Sequence, residues 1–273
     1  MNPLLVSILS TVLMLAACVP IFYTIERINP IVAEQKFYRK EFFSDLLFAL
    51  SNGGFVGPVL QMLILLFLTQ VVGEIIPFQI FSNSIESLPL VVQVVLILLI
   101  VDFVTYWRHR FTHIYAWPFH SVHHAAEEIS WLTKFRLHPG DLFFAILFYS
   151  VGMHIIGFGG LGLTIAILLY QAYDLFAHCN IRVALRGWPR FVFATPQFHR
   201  WHHAVEPEAI NKNYCVMFSF YDWLFGSLYC PDGLYPSCYG LTPRAQENYP
   251  TDFLEQQAYP FRKIFKRIRS KAH

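Results

Sequence analysis

Apolar positions along this chain run in long unbroken stretches, without the alternation of a half-buried strand or the narrow stripe of a surface helix. A helix needs about 20 such residues to cross roughly 30 Å of hydrocarbon. Three stretches meet that length: Pro3 to Tyr23, a segment within Phe43 to Ile76 that is strongest at Val59 to Val72, and Leu88 to Trp107. A fourth stretch, Leu142 to Ala177, covers 36 residues and is interrupted by Gly157, Gly159, Gly160 and Gly162. It is too long for one crossing and predicts a helical hairpin whose two short arms dip in and return. The pattern predicts an all-α, multi-pass helical bundle of three spans plus a hairpin.

Composition agrees. Of 273 residues, 55% are apolar and 14% are charged, against roughly 25% charged in an ordinary soluble domain. Disorder, collagen, coiled coil and small disulfide scaffolds are excluded. The five cysteines (Cys18, Cys179, Cys215, Cys230, Cys238) are odd in number and form no C-x-x-C, so no disulfide framework is expected. Net charge is +2, too balanced for a nucleic-acid partner. The one dense basic run is Arg262, Lys263, Lys266, Arg267, Arg269 and Lys271, read either as a solubilising tail or as a contact with anionic lipid headgroups. Leu15-Ala16-Ala17-Cys18 has the look of a lipoprotein cleavage box. No Lys or Arg precedes Arg27, however, so the basic region of a secretory signal is missing and the segment reads as a retained span.

Charge placement sets an orientation. No Lys or Arg lies between Glu41 and Trp107. Arg27, Lys36, Arg39 and Lys40 fall between spans one and two, while the next loop carries only Glu74 and Glu86. With the N-terminus outside, all 20 Lys and Arg fall on the cytoplasmic face, as positively charged loops require. Residues 108–140 and 178–273 then share that face.

The histidines test this arrangement. His109 and His113 form H-x-x-x-H; His120, His123 and His124 form H-x-x-H-H; His199, His202 and His203 repeat H-x-x-H-H. His138 and His178 stand between the clusters, His154 lies inside the hairpin where packing explains it, and His273 is terminal. Residues at i, i+3 and i+4 share a helix face, and neutral imidazole is a common metal ligand. Eight clustered imidazoles from three segments, all on one predicted face, suit two transition-metal ions better than one. Asp102, seven residues before His109, and Asp174, four before His178, are candidates to receive the second N–H of a metal-bound imidazole, and Asp222 follows the third cluster. The chain thus reads as one membrane-embedded domain: 1–107 mainly spans, 108–230 a metal-binding catalytic region forming a cytoplasmic histidine-rich helical cap, and 231–273 a basic tail.

Ligand type does not choose the metal, since imidazole suits iron, zinc and copper. The first pair is His109-Arg-Phe-Thr-His113, so the Glu of a zinc-protease HExxH is missing. The Glu and Glu-x-x-His ligands of soluble di-iron bundles are missing too. A zinc-dependent membrane hydrolase, a metal carrier or a non-catalytic metal-binding protein remain open on these grounds. A carrier would place ligands within the spans, whereas these clusters lie at span ends.

Taken in order, Asp102-Phe-Val-Thr-Tyr-Trp-Arg-His-Arg-Phe-Thr-His113, His120-Ser-Val-His-His124, Arg136-Leu-His-Pro139, Phe176-Ala-His-Cys-Asn-Ile181, Thr195-Pro-Gln-Phe-His-Arg-Trp-His-His203, Asn213-Tyr and Trp223-Leu-Phe-Gly226 resemble the fatty acid hydroxylase / sterol desaturase superfamily over about residues 100–230. The first hundred residues match only as spans. The resemblance implies a membrane non-haem di-iron oxidoreductase, a monooxygenase of lipid metabolism that uses two iron ions and O2 to hydroxylate or desaturate a C–H bond of a sterol, fatty acyl or related membrane lipid. Zinc can replace the iron in purified protein. By position it makes His109, His113, His120, His123, His124, His199, His202 and His203 metal ligands and His178 a further one; His138 belongs to a motif found in some branches only, and Asn180 supports a ligand directly or through water. No catalytic residue beyond the ligands is implied. Cys215 stands where relatives often have Gly. No cytochrome b5 domain is expected among the spans, so electrons would come from a separate cytochrome b5, ferredoxin or reductase. The host membrane would be a bacterial inner membrane or the endoplasmic reticulum; Arg269-Ser-Lys-Ala-His273 resembles a retrieval signal only weakly.

Overall fold

A computed structural model describes residues 2–72, 85, 87–156 and 159–271, without the side chains of residues 71, 72, 154, 155 and 271. Glu74, Glu86, Gly157 and His273, and the side chain of His154, lie outside the described residues. The described secondary structure is helical, apart from one isolated bridge between Ala204 and Tyr239.

Among the described residues, four helices are long and apolar enough to cross a membrane: α1 (Pro3–Ile28), α2 (Phe42–Gln70), α3 (Leu90–Tyr115) and α6 (Gly160–Ala177). Between α3 and α6 come the short α4 (Trp117–His124) and α5 (Pro139–Ile156). The remainder holds α7 (Pro196–His202), α8 (Phe220–Leu224), α9 (Pro243–Gln246) and α10 (Phe253–Lys271). The protein is a multi-pass membrane protein with a helical cap. Helices α5 and α6 are the expected hairpin, each 18 residues long. Their turn passes through Gly160 at φ +61°, a left-handed conformation that disfavours any Cβ. By length and composition the returning arm α6 qualifies as a span in its own right, so an arm is longer than the shallow dip expected.

The third span outruns its sequence estimate of Leu88 to Trp107. Helix α3 starts after Pro89 and continues to Tyr115, so His109 and His113 ride on the spanning helix itself. It stops at Ala116 because Trp117-Pro118 opens the next helix, where proline is favoured. Apolar side chains seal α3 against α6 and the 216–217 loop through Val94, Ile97, Val101, Ala166, Tyr170, Val216 and Met217. Large apolar side chains such as Leu13, Val91 and Leu168 remain exposed on the outer faces, as bilayer-facing positions do.

Helix α2 contains a π-helical turn at Asn52–Val56. Gly53 lies so close to Thr11 of α1 that a Cβ would meet its side chain at 2.8 Å. Asn52, on the same turn, donates to the carbonyls of Phe135 and Leu137 at 3.2 and 2.8 Å, which fixes the segment leading into α5.

One buried carboxylate ties α2 to the cap. Asp45 pairs with Arg39 and, at 2.8 Å, with Arg136, all three enclosed. Arg136 Nε then donates to the carbonyl of Val122, within α4, at 2.9 Å. Removing one partner of a buried ion pair leaves an uncompensated charge. Asp45→Ala is therefore expected to destabilise the protein by about 3–5 kcal/mol, read as a lowered midpoint of thermal unfolding in detergent, with Asp45→Glu less affected.

Candidate metal centre

Four pieces of chain deliver the histidines. Helix α3 carries His109 and His113. Helix α4 carries His120, His123 and His124, and His178 caps the C-terminus of α6. Helix α7 supplies His199 and His202 and ends on His203. Its start is written locally: Thr195 accepts the Phe198 N–H and Pro196 takes the first helical position.

Nine imidazoles sort into two adjacent groups, within each of which the ligating nitrogens lie within 4.8 Å of one another. One holds His109, His113, His120, His124 and His202; the other holds His123, His178, His199 and His203. Each H-x-x-H-H motif is split between them. With about 100° of turn per residue, i and i+4 point nearly together while i+3 is swung aside. So His120 and His124 enter the first group and His123 the second; His199 and His203 enter the second and His202 the first. The rings of His124 and His203 stack at 4.5 Å across the boundary. The segments near residues 120 and 200 therefore meet on one side of the bundle.

Hydrogen bonds select the tautomers. His109 Nδ1 faces the Tyr214 carbonyl at 2.8 Å, His120 Nδ1 faces Asp141 Oδ2 at 2.8 Å, His202 Nδ1 faces the Lys212 carbonyl at 2.8 Å and His178 Nδ1 faces the Asp174 carbonyl at 2.8 Å. Each acceptor takes the ring's one N–H and leaves Nε2 as a bare lone pair. Yet His109 Nε2 lies 3.0 Å from His120 Nε2. Two lone pairs at that distance repel unless they share a cation. The other close pairs are His124–His202 at 2.9 Å, His178–His199 at 2.9 Å, His199–His203 at 3.1 Å and His123–His178 at 3.4 Å between Nε2 atoms. Around one ion with metal–nitrogen bonds of about 2.1 Å, neighbouring ligand atoms lie about 3.0 Å apart in an octahedron and about 3.4 Å in a tetrahedron. The spacing fits a transition-metal ion in each group.

A proton is a poor substitute for that ion. Burial, reinforced by nearby positive groups, pushes the His120, His123, His124, His199 and His203 imidazoles well below their ordinary value of 6.5, and His202 down to about 4. The buried Nε2 of His113 has no hydrogen-bond partner among the described residues. Neutral, desolvated imidazole is the form that binds a metal.

The supporting residues differ from the sequence expectation. Asp174 does reach His178, its Oδ1 lying 3.4 Å from Nδ1. Asp102 and Asp222 bond to no histidine among the described residues. Asp102 accepts from the backbone N–H groups of Val216, Met217 and Phe218 and from Tyr170 Oη; Asp222 accepts from those of Tyr214 and Cys215. Together they fix the loop whose Tyr214 carbonyl receives His109. Asn180 binds the Val32 backbone and Arg200, one layer out. His138 stands apart from both groups because both ring nitrogens are occupied: Nδ1 accepts from the Gly140 N–H and Nε2 donates to the Gln257 carbonyl. Cys215 has no positive φ, so nothing in its backbone asks for glycine.

Two supporting residues were missed. Asp141, paired with His120 and with Arg108 at 3.4 Å, opens the apolar arm α5. An ionisable group at the head of an apolar run is the same signal that singled out Asp102. Asn211, held at φ 59°, presents Oδ1 to His113 Nδ1 at 3.3 Å; its only mark in the sequence is a preference for that backbone.

A cavity of about 820 Å³ opens onto the first group, reaching His113, His124 and His202. Its walls are mostly apolar, with Phe111, Trp117, Phe144 and Ile210 among them. None of the second group lines it.

Asp141→Asn is expected to weaken metal binding at the first group by about 10–100-fold, measured by chelator competition on purified protein with unchanged helical circular dichroism. His138→Ala is expected to keep the full metal content.

The fatty acid hydroxylase family profile matches residues 94–227. An ornithine lipid hydroxylase of Rhizobium tropici is 32% identical over 184 residues, covering 64% of this chain and 52% of that protein. An alkylglycerol monooxygenase of Danio rerio is 33% identical over 130 residues, 46% of this chain and 28% of that protein. A methylsterol monooxygenase of Arabidopsis thaliana is 29% identical over 152 residues, 50% of this chain and 55% of that protein. The matched segments thus span about half the length of these relatives or less. No solved structure matches. The family match takes in every histidine of both groups, and over residues 94–227 the chain is similar to the fatty acid hydroxylase / sterol desaturase superfamily.

Proposed function

We propose that the protein is a non-haem di-iron, O2-dependent oxidoreductase that hydroxylates a C–H bond of a membrane lipid. The observation that carries this reading is a mostly apolar cavity of about 820 Å³ ending on one of two adjacent groups of buried imidazoles. The lipid hydroxylases and monooxygenases among the relatives supply the reaction class, and the choice of iron follows from the resemblance of the histidine motifs. Electrons come from a separate donor protein, and the cap faces the cytoplasm.

His109, His113, His120, His124 and His202 would hold one iron, and His123, His178, His199 and His203 the other. When bound, the irons supply activation of O2 and abstraction of hydrogen from an unactivated carbon. The chain's own part is to hold and orient. Asp141 and the Tyr214 and Lys212 carbonyls each take one Nδ1 proton and so turn Nε2 of His120, His109 and His202 inward. The aromatic walls place a lipid carbon beside the first group. Asp174 and its carbonyl orient His178 in the second group, which the cavity does not reach.

The purified protein is expected to bind two irons per chain, and lipids of cells carrying the gene are expected to gain one oxygen atom in a reaction that needs O2 and reductant. His109→Ala and His199→Ala should each abolish that product, measured by comparative lipid mass spectrometry beside elemental analysis. Product formed anaerobically without reductant would favour a zinc hydrolase; protein isolated without bound metal would overturn the reading.

A further inference from the structure

One wall of the cavity is unlike the others. It is built by α10, which contributes Tyr259, Lys263, Ile264, Arg267 and Ile268. Lys263 and Arg267 are one helical turn apart; among the described residues they are the only Lys or Arg on the lining, and no Asp or Glu lines it. Neither makes an ion pair among the described residues, whereas Arg262 on the same helix is matched by Glu255. Lys263 lies 5.5 Å over the Tyr259 ring. The helix that carries them is firmly docked. Phe253 packs edge-on against Phe48 at 4.8 Å, Phe261 packs against Phe119 at 5.8 Å, and the Gln257 carbonyl receives His138. Two unmatched cations thus stand at a mostly apolar cavity, on the wall of an amphipathic helix of the kind that lies at a membrane surface.

We propose that Lys263 and Arg267 bind the anionic headgroup of the lipid substrate while its chain runs along the aromatic wall to His113, His124 and His202. The inference rests on the lipid-oxidising reading above and narrows it to lipids whose headgroup carries a net negative charge on a phosphate or carboxylate. Arg and Lys recognise such oxygens by charge-assisted hydrogen bonds. The same pairing sets depth: with the headgroup fixed at one place, the carbon that reaches the histidines is fixed by its distance along the chain.

Trp117 lines the cavity and reports occupancy. Metal-loaded full-length protein in neutral detergent is titrated with phosphatidylglycerol and with phosphatidylcholine carrying the same doxyl-labelled acyl chain. Trp117 quenching is obtained by difference from Trp117→Phe. The phosphatidylglycerol probe is expected to half-saturate at least about tenfold lower than the phosphatidylcholine probe, as two cations near a lipid surface imply. The Lys263→Ala/Arg267→Ala double variant should lose that preference yet still be quenched by phosphatidylcholine. Lys266→Ala/Arg269→Ala, on the same helix but off the lining, should keep it, which separates the cavity from general attraction to a basic surface. Inorganic phosphate should fail to displace the phosphatidylglycerol probe; displacement by phosphate at comparable concentration would assign the site to a free anion and overturn the headgroup claim. Equal quenching by the two probes, or a preference that survives in the Lys263/Arg267 variant, overturns it as well. Quenching of Trp117 by neither probe would instead sink the lipid cavity itself.

Discussion

Nine imidazoles must be held with their ring nitrogens facing one another, and most of the cap is arranged to meet that demand. The His109–His120 contact shows the constraint in its sharpest form: both Nδ1 protons are committed outward, so the two Nε2 atoms at 3.0 Å have no hydrogen between them. Such an arrangement is unfavourable in an empty protein and favourable around a cation. Folding energy from the apolar packing of α3, α5 and α6 and the buried Arg39–Asp45–Arg136 cluster holds it in place. Metal binding then returns free energy to the fold, because a site so prepared is absent from the unfolded chain.

The supporting carboxylates work at two depths. Asp141 and Asp174 contact rings directly. Asp102 and Asp222 instead collect five backbone N–H groups of the Tyr214–Phe218 loop and act on His109 through the carbonyl that loop presents. A charged group inside a span is tolerated when its oxygens are so fully occupied. The cost of burying Asp102 is offset by fixing a long-range loop to the third span.

The two histidine groups are unequal in access. The first opens on the cavity, and the second is enclosed by α4, α6 and α7. An arrangement of this kind lets one ion meet a lipid carbon while its neighbour stays shielded. The basic segment at the C-terminus, read from the sequence as a tail, closes the cavity as helix α10. Whether it ranks as a tail or a wall depends on Phe48 and Phe119, residues far away in the chain.

The sequence by itself determined the spans, the hairpin and the set of clustered histidines. Span length and glycine placement follow from bilayer thickness and backbone sterics, and H-x-x-H-H carries its chemistry in its own spacing. Tertiary structure decided the partition. Three residues on one short helix serve two groups, and which ring joins which depends on where α3, α6 and α7 cross α4. It also decided that His138 spends both nitrogens on backbone groups, that Asp141 and Asn211 brace the rings, and that α10 walls the cavity. Those choices rest on contacts between residues tens to more than a hundred positions apart, which no local pattern records.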